Sequence, residues 1–321
     1  MSSNSSSQLT LNVQKPAKSP RARAWAKIKK DKWLYILMIP GILYFLIFAY
    51  GPMWGVLIAF QEYSPFLGMA KSEWVGFLHF KNFFTDPDFM KLLINTLTLS
   101  LYNLLFYFPA PIILALLLNE VRHSGFKRVI QTFIYIPHFI SIVIVVSITY
   151  VFLTTEGGVI NDLVFKLTGE RINFLGSPQW FRPLYLLQII WKETGWGTII
   201  FLAALAGVDV SLYEAAIVDG ANRWQQLWHI TLPAIKSTII TMLILRMGSV
   251  LNSGFEHIFL MTNSLNRSVA EVFDTYVYNM GITQGSFSYS TAVGLFKSLV
   301  GITLIQLANF LAKKAGETGL Y

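Results

Sequence analysis

The sequence contains no cysteine. That excludes disulfides, thiolate nucleophiles and cysteine-held zinc, while leaving the redox compartment open. Charge is scarce as well: Asp, Glu, Lys and Arg make up 13% of 321 residues, about half the roughly 25% of a soluble domain. With hydrophobic residues at 54% and a mean hydropathy of +0.52, too few polar groups remain to coat a solvated globule, so a soluble enzyme is excluded. Disorder is excluded too, since it needs low hydrophobicity. Catalytic patterns are missing. His79, His123, His138, His229 and His257 show no metal-ligand spacing, and neither G-x-S-x-G nor H-E-x-x-H occurs. The absence of G-x-x-x-x-G-K-[ST] means that no Walker-type loop of this chain holds ATP.

What the chain has is long apolar runs. A helical membrane span takes about 20 mostly apolar residues, and six segments supply them: 34–60, 92–118, 129–153, 183–205, 238–261 and 292–312. The runs are continuous rather than alternating, so they predict helices and not barrel strands. An all-α polytopic membrane protein with six transmembrane helices follows. Its expected organisation is a basic N-terminal arm (1–33), a membrane domain (34–312) with a polar loop at 206–236, and a short tail (313–321). Pro40, Pro52, Pro109, Pro111 and Pro137 lie inside apolar runs and predict kinks, whereas Pro183 and Pro233 stand near helix starts.

The net charge of +8 reads as a topological label. With the N-terminus inside, 15 of the 25 Lys and Arg residues fall on inside segments, eight of them before the first span. Seven fall on outside loops, and Lys192, Arg246 and Lys297 fall within spans. This bias predicts that both termini are cytoplasmic. The basic residues sit at membrane edges, which is no pattern for nucleic acid. The Ser-, Asn- and Gln-rich first 14 residues predict disorder, and the stretch from Lys15 to Lys32 suits anionic lipid headgroups. A cleaved signal peptide fits this end poorly, because the basic region is long, the apolar run is a full span and no A-x-A site follows it.

The loop from Val210 to Pro233 reads as two short helices with a turn between them. Ser211 and Glu214 have capping-box spacing. Asp219-Gly220 marks a turn, where Gly220 can take positive φ. Trp224, Leu227 and Trp228 share one face of the second helix, and Pro233 is expected to stop it. The amphipathic pattern alone fits an interfacial joint between spans. The residues, however, carry a fixed pattern: E-A-A (Glu214, Ala215, Ala216), three residues, Gly220, nine residues, then Ile230-x-Leu232-Pro233, with Asp219 and Ala221 completing a D-G-A triplet.

That pattern resembles the EAA signature of permease subunits of ABC importers. The resemblance runs from about the first span to the C-terminus. Val75-Gly76, Asn82-Phe83 and Asn95-Thr96 look like the MalF-like, binding-protein-dependent carbohydrate permeases. Trp191-Lys192-Glu193, Gly254-Phe255-Glu256, Asp274-Thr275-Tyr276-Val277-Tyr278 and Gly294-Leu295-Phe296-Lys297 look like an LplB-like branch that handles oligosaccharides. The resemblance implies a MetI-like permease fold in a bacterial plasma membrane. It also implies a second homologous permease, two ATP-binding subunits that bind ATP and Mg, an extracytoplasmic solute-binding protein and an oligosaccharide substrate, with no cofactor in this chain. The loop helices would dock on the ATPase, and Glu214 would meet a cation there. Its spacing leaves a second role open, as a cap of its own helix.

Charges inside spans are expensive and must face protein or a water-filled path. Lys192 and Glu193 are sequence neighbours, so they are expected to point to different sides of a helix and not to pair. Lys192, Arg246 and Lys297 against Glu193 would suit an acidic, uronate-bearing oligosaccharide. Pairing with a second permease, or snorkelling, would account for the same residues. Trp191, Trp196 and Tyr278 can offer sugar-stacking faces or form part of an interfacial belt. Gly195 and Gly197 can open the helix around Trp196 or permit close packing. Two other readings remain for the whole chain. One is a permease of the same architecture for a non-sugar solute such as phosphate or an amino acid, and the other is a membrane receptor or scaffold that docks a cytoplasmic partner.

Overall fold

The structure is a computed structural model that describes residues 29–252, 254–316 and 319. The predicted disordered arm lies outside the described residues up to position 28, and so do positions 317, 318, 320 and 321 of the tail. The chain divides into two units, Met1–Gly55 and Val56–Tyr321.

The first unit carries most of α1 (Lys32–Phe60). Its segments from Lys32 to Met53 bury no side chain. A helix that is apolar all round and buries nothing within its own unit is stable only in lipid or against another chain.

The second unit opens with a two-stranded antiparallel pair, β1 (Gln61–Glu62) and β2 (Glu73–Trp74). There follow α2 (Leu78–Thr85) and α3 (Phe89–Asn119). Next come α4 (Ser124–Phe139) and α5 (Ile142–Leu153), then α6 (Val159–Thr168). Beyond them lie α7 (Pro178–Ala206), α8 (Val210–Val218) and α9 (Arg223–Gly248). Three short helices follow, α10 (Phe255–Met261), α11 (Arg267–Ala270) and α12 (Phe273–Tyr278), and α13 (Phe287–Lys314) ends the series. Five helices, α1, α3, α7, α9 and α13, are long and apolar enough to cross a membrane singly, and the bent pair α4–α5 brings the number to six if it counts as one span. In none of the five is more than 22% of the most apolar window buried, so most of the apolar surface faces outward, as lipid and partner chains require.

The fold is held by α7, which packs along the second half of α3 and also against α9, α10 and α11. Ala115, Phe201, Leu205 and Ile235 form one buried cluster. Leu99, Val146, Phe181, Tyr185, Ile258 and Val272 belong to a second, and Phe83, Leu92, Phe273, Tyr276 and Val293 to a third. Gly195 is a packing glycine, not a local opening of α7. A Cβ there would lie 1.8 Å from the Ile134 carbonyl oxygen, so only glycine lets α4 come this close.

Two spans differ from the sequence expectation. Segment 129–153 is not one continuous helix but two helices bent by 95°. Pro137 withdraws a backbone donor, Ile140 turns extended, and Ser141 restarts the chain by accepting from Val143 N at 3.3 Å. Segment 238–261 is also divided. The helix starts 15 residues earlier, at Arg223, and ends at Gly248; residues 255–261 form the separate α10 behind Gly254, whose φ is +79°. Mean hydropathy registers neither break, since both flanks are apolar.

The prolines behave in a common way. Pro52, Pro109 and Pro233 each follow a π-helical turn, at Phe45–Tyr50, Asn103–Tyr107 and Leu227–Thr231. A proline ring presses on the carbonyl four residues back. A widened turn placed just before it moves that carbonyl aside while the helix continues. Pro233 therefore does not stop α9, and Pro183 lies within α7 because that helix begins at Pro178.

Candidate functional site

The polar loop is built around α8. Its N-cap is Asp209, which accepts from Ser211 N at 2.9 Å. The helix therefore starts before Ser211, and the expected Ser211–Glu214 capping box does not form. Hydrogen bonds from the Ser211 amide and hydroxyl hold the Asp209 carboxyl below its ordinary pKa. At the other end, Gly220 takes φ +78°. Gly220 N bonds to Ile217 O at 3.0 Å and Ala221 N to Ala216 O at 2.8 Å, which is a Schellman closure. The real capping box opens α9: Gln225 N donates to Asn222 Oδ1 at 3.0 Å and Asn222 N to Gln225 Oε1 at 2.7 Å. Tyr213 and Thr231 share a hydroxyl hydrogen bond of 2.9 Å that pins α8 to α9, and Arg223 reaches Glu120 at the end of α3, at 3.2 Å.

Glu214 is thus released from any capping duty. It and Ala215 are exposed, as are Asp219, Gly220 and Pro233, while Ala216, Ala221, Ile230 and Leu232 are half-buried. Among the described residues Glu214 has no ion-pair partner. Beside it stand exposed apolar groups, Val210, Ile217 and Val218, with Trp224 and Trp228 exposed on α9. The loop thus presents an exposed carboxylate set among small and apolar side chains.

Two of the in-span charges, Lys192 and Glu193, meet at the α4–α5 break. There the His138 carbonyl ends a helix and has no further turn to bond. Lys192 Nζ donates to it at 2.6 Å, placing a cation where a helix C-terminus favours one. Lys192 Nζ also lies 2.9 Å from Glu193 Oε1, and His138 Nδ1 donates to Glu193 Oε2 at 2.7 Å. The expectation that Lys192 and Glu193 do not pair is therefore wrong. Two long side chains 100° apart on a helix still meet when a third group, here His138, draws both toward it. Lys297 is likewise held within the chain, by Asp274 of α12. The balance of three cations against one anion had left Asp274 out, because it lies between spans.

Lys192, Glu193 and Arg246 line one cavity of about 410 Å³ together with Tyr185, Asn252, Glu256 and His257. Tyr278 lies in a neighbouring cavity of about 640 Å³ with Phe255 and Asp274, where its ring packs on Phe255 and Phe259. Lys297 lines a third, of about 340 Å³. Shared walls link the three: Phe255 joins the first two, Asn252 the first and third, and Asp274 the second and third. Trp191 is exposed and lines none of these cavities. Trp196 stacks on His138 with ring centroids 4.5 Å apart, so one of its faces is already occupied.

Residues 107–316 match the family described as binding-protein-dependent transport system inner membrane component. The chain belongs to this family. Among similar proteins, Protein LplB of Bacillus subtilis (strain 168) is 69% identical over 92% of this permease and 93% of its own length. The polygalacturonan/rhamnogalacturonan transport system permease protein YteP of the same organism is 58% identical, over 97% and 99% of the two chains. A crystal structure of a bacterial ABC transporter involved in the import of the acidic polysaccharide alginate has a chain that is 42% identical, with a TM-score of 0.84 over 91% of this permease and 99% of that chain. A second, of an alginate ABC transporter in complex with an alginate pentasaccharide-bound periplasmic protein, gives 41% and 0.85 over 93% and 100%. The MetI-like permease fold and the carbohydrate-permease resemblance read from the motifs are thereby borne out.

Several groups of the permease had no signal in the sequence. His138 stands among histidines without metal spacing and Asp274 within a family motif, and nothing in the sequence marks either as the ionic partner of a span residue. Glu271 is 2% exposed and binds Arg267 at 2.6 Å and Lys91 at 3.2 Å, while its carbonyl accepts from Asn95. Arg182 in turn donates to Asn95 Oδ1 at 3.0 Å. Three cations assigned to outside loops thus tie α3, α7 and α11 together. The Asn222-x-x-Gln225 box, by contrast, was readable as a capping signature.

Proposed function

We propose that this permease is one of two homologous membrane subunits of an ABC importer that carries an oligosaccharide, acidic and uronate-bearing, across a bacterial plasma membrane. Two ATP-binding subunits supply the ATP and Mg chemistry, and an extracytoplasmic binding protein delivers the sugar. Both termini and the 206–236 loop face the cytoplasm. The observation that carries this reading is the exposed loop that bears the EAA residues. Glu214 stands free of its own helix, with Ala215 and Ala216 beside it, on a helix fixed at both ends by Asp209 and Gly220. A short rigid helix can transmit the closure of the ATPases to α9, to which Tyr213 and Thr231 connect it, and so bias inward-open against outward-open states. The acidic character of the cargo is supported by the polysaccharides named for the similar transporters and by Arg246, a cavity-lining cation with no carboxylate within ion-pair distance among the described residues.

The test is uptake in cells lacking a second copy. Glu214→Ala and Gly220→Trp are expected to abolish import while the protein remains in the membrane. Transport at the wild-type rate by both variants would refute the coupling role.

A further inference from the structure

Of the three cations that the sequence places inside the spans, two are already satisfied by carboxylates of their own chain. Lys192 holds Glu193 and the His138 carbonyl at 2.9 and 2.6 Å. Lys297 holds Asp274. Arg246 differs. It is half-buried, and among the described residues no carboxylate lies within ion-pair distance of it and no group hydrogen-bonds to its guanidinium. Its one described partner is the ring of Tyr107, with Cζ 5.1 Å from the centroid. A cation–π contact leaves the N–H fork without a hydrogen-bond acceptor, and that fork matches a carboxylate in bidentate fashion. A cation without a carboxylate partner in a membrane-spanning helix is costly to insert and points to a functional site.

The surroundings show what the fork meets. Arg246 lines both the cavity of about 410 Å³ and an adjoining one of about 240 Å³ with Tyr107, Phe108 and Phe201 in its wall. The larger lies within the roughly 300–1,000 Å³ range of small-molecule sites. Its other charged lining groups are Lys192, Glu193 and Glu256. The two carboxylates repel an anionic group wherever Arg246 does not hold it, and the exposed Glu256 is an acceptor for hydroxyls. His257 is fixed as well. Gln188 Nε2 donates to Thr149 Oγ1 at 2.7 Å, which turns the Gln188 oxygen to His257 Nε2. That nitrogen is therefore the donor, and Nδ1 of the neutral ring remains an acceptor.

We propose that Arg246 is the specificity-determining residue that reads a carboxylate of the transported sugar, and that Lys192 and Lys297 are positioning residues that do not read it. This rests on the acidic-oligosaccharide reading above. The site takes one uronate unit, with its carboxylate on the Arg246 fork and its hydroxyls toward Glu256 and His257.

The experiment uses the complete importer with its binding protein in proteoliposomes. The probes are an oligogalacturonide and its methyl ester, and the readout is the ratio of their uptake rates. The binding protein's own preference is common to every variant and cancels when ratios are compared. Arg246→Met is expected to lower the acid-to-ester ratio by roughly 10–100-fold, the weight of a charge-assisted bidentate contact. Arg246→Lys, which keeps the charge without the fork, should fall between the two and guards against a folding artefact. Lys192→Met and Lys297→Met should change uptake of both probes by the same factor. An unchanged ratio in Arg246→Met, with the wild type still preferring the acid, overturns the Arg246 assignment and leaves the acidic-cargo reading standing. A wild type that takes the ester as fast as the acid overturns that reading, and this one with it. Should no protein carry the ester, acid uptake alone decides: wild-type uptake by Arg246→Met overturns the assignment, and a loss that Arg246→Lys partly restores supports it.

Discussion

The meeting of Lys192, Glu193 and His138 at the α4–α5 break makes a quantitative claim. Replacing Glu193 by Gln keeps the volume and the hydrogen bond from His138 but strips Lys192 of its counter-ion. Removing one partner of a fully buried pair costs about 3–5 kcal/mol, whereas an exposed pair is worth about 1 kcal/mol or less. Lys192 and Glu193 side chains are 13% and 27% exposed, so the cost should fall between these limits, at about 1.5–3 kcal/mol. Part of the Lys192 charge remains held by the His138 carbonyl, which keeps the figure below the upper limit. The double variant Lys192→Met/Glu193→Gln removes the stranded cation as well. It should therefore be more stable than the sum of the two single changes predicts, by about 1–2 kcal/mol. The assay is thermal unfolding of the purified complex in detergent, followed by intrinsic fluorescence, for the wild type and the three variants. Effects that add to within about 0.5 kcal/mol would mean that the two side chains act independently, and the account of this cluster would fail.

Three further outcomes are expected. Asp209→Ala should destabilise the loop by about 1 kcal/mol, the usual worth of an N-cap, while Glu214→Ala should leave its stability within about 0.5 kcal/mol; hydrogen exchange across 210–221 reads both. Gly195→Ala should lower the melting temperature sharply, because its Cβ would meet the Ile134 carbonyl at 1.8 Å, and a wild-type melting temperature would count against the close approach of α4 and α7. Asp86 should contribute to acid sensitivity. Burial raises its pKa, but the Asp88 amide, the Tyr289 and Tyr276 hydroxyls and the Lys91 charge outweigh this and hold it below the ordinary value. A carboxyl with a lowered folded pKa stabilises above its unfolded pKa and loses that contribution as pH falls through the folded value. Asp86→Asn should therefore flatten the acid limb of a stability profile below about pH 4, and an unchanged limb would contradict this.

The sequence was most informative where physics is local or averaged. Apolar runs of span length are additive, so four spans, the bent pair and the second half of α9 could be placed without knowing a single contact. Gly220 was predicted to take positive φ from one dipeptide, and it does. Pairings that only the tertiary fold creates were not readable. Lys192 and Glu193 converge because His138, 54 positions from Lys192, ends a helix beside them. Asp274 neutralises Lys297 across 23 positions, which no hydropathy profile registers. The breaks at Ile140 and Gly248 lie between apolar flanks, so a window average smooths over them. Capping fell between the two cases. Ser211 and Asp209 both carry suitable side chains, and the choice depends on where the preceding turn leaves α7.

The central claim is that the EAA loop carries work from an ATPase to the path through this permease. It is tested most directly by ATP hydrolysis in proteoliposomes holding the complete importer, measured with and without its binding protein loaded with oligosaccharide. The wild type should hydrolyse ATP faster when the loaded binding protein is present, and Glu214→Ala should abolish that stimulation while the complex stays assembled. Undiminished stimulation in an assembled Glu214→Ala complex would contradict the account.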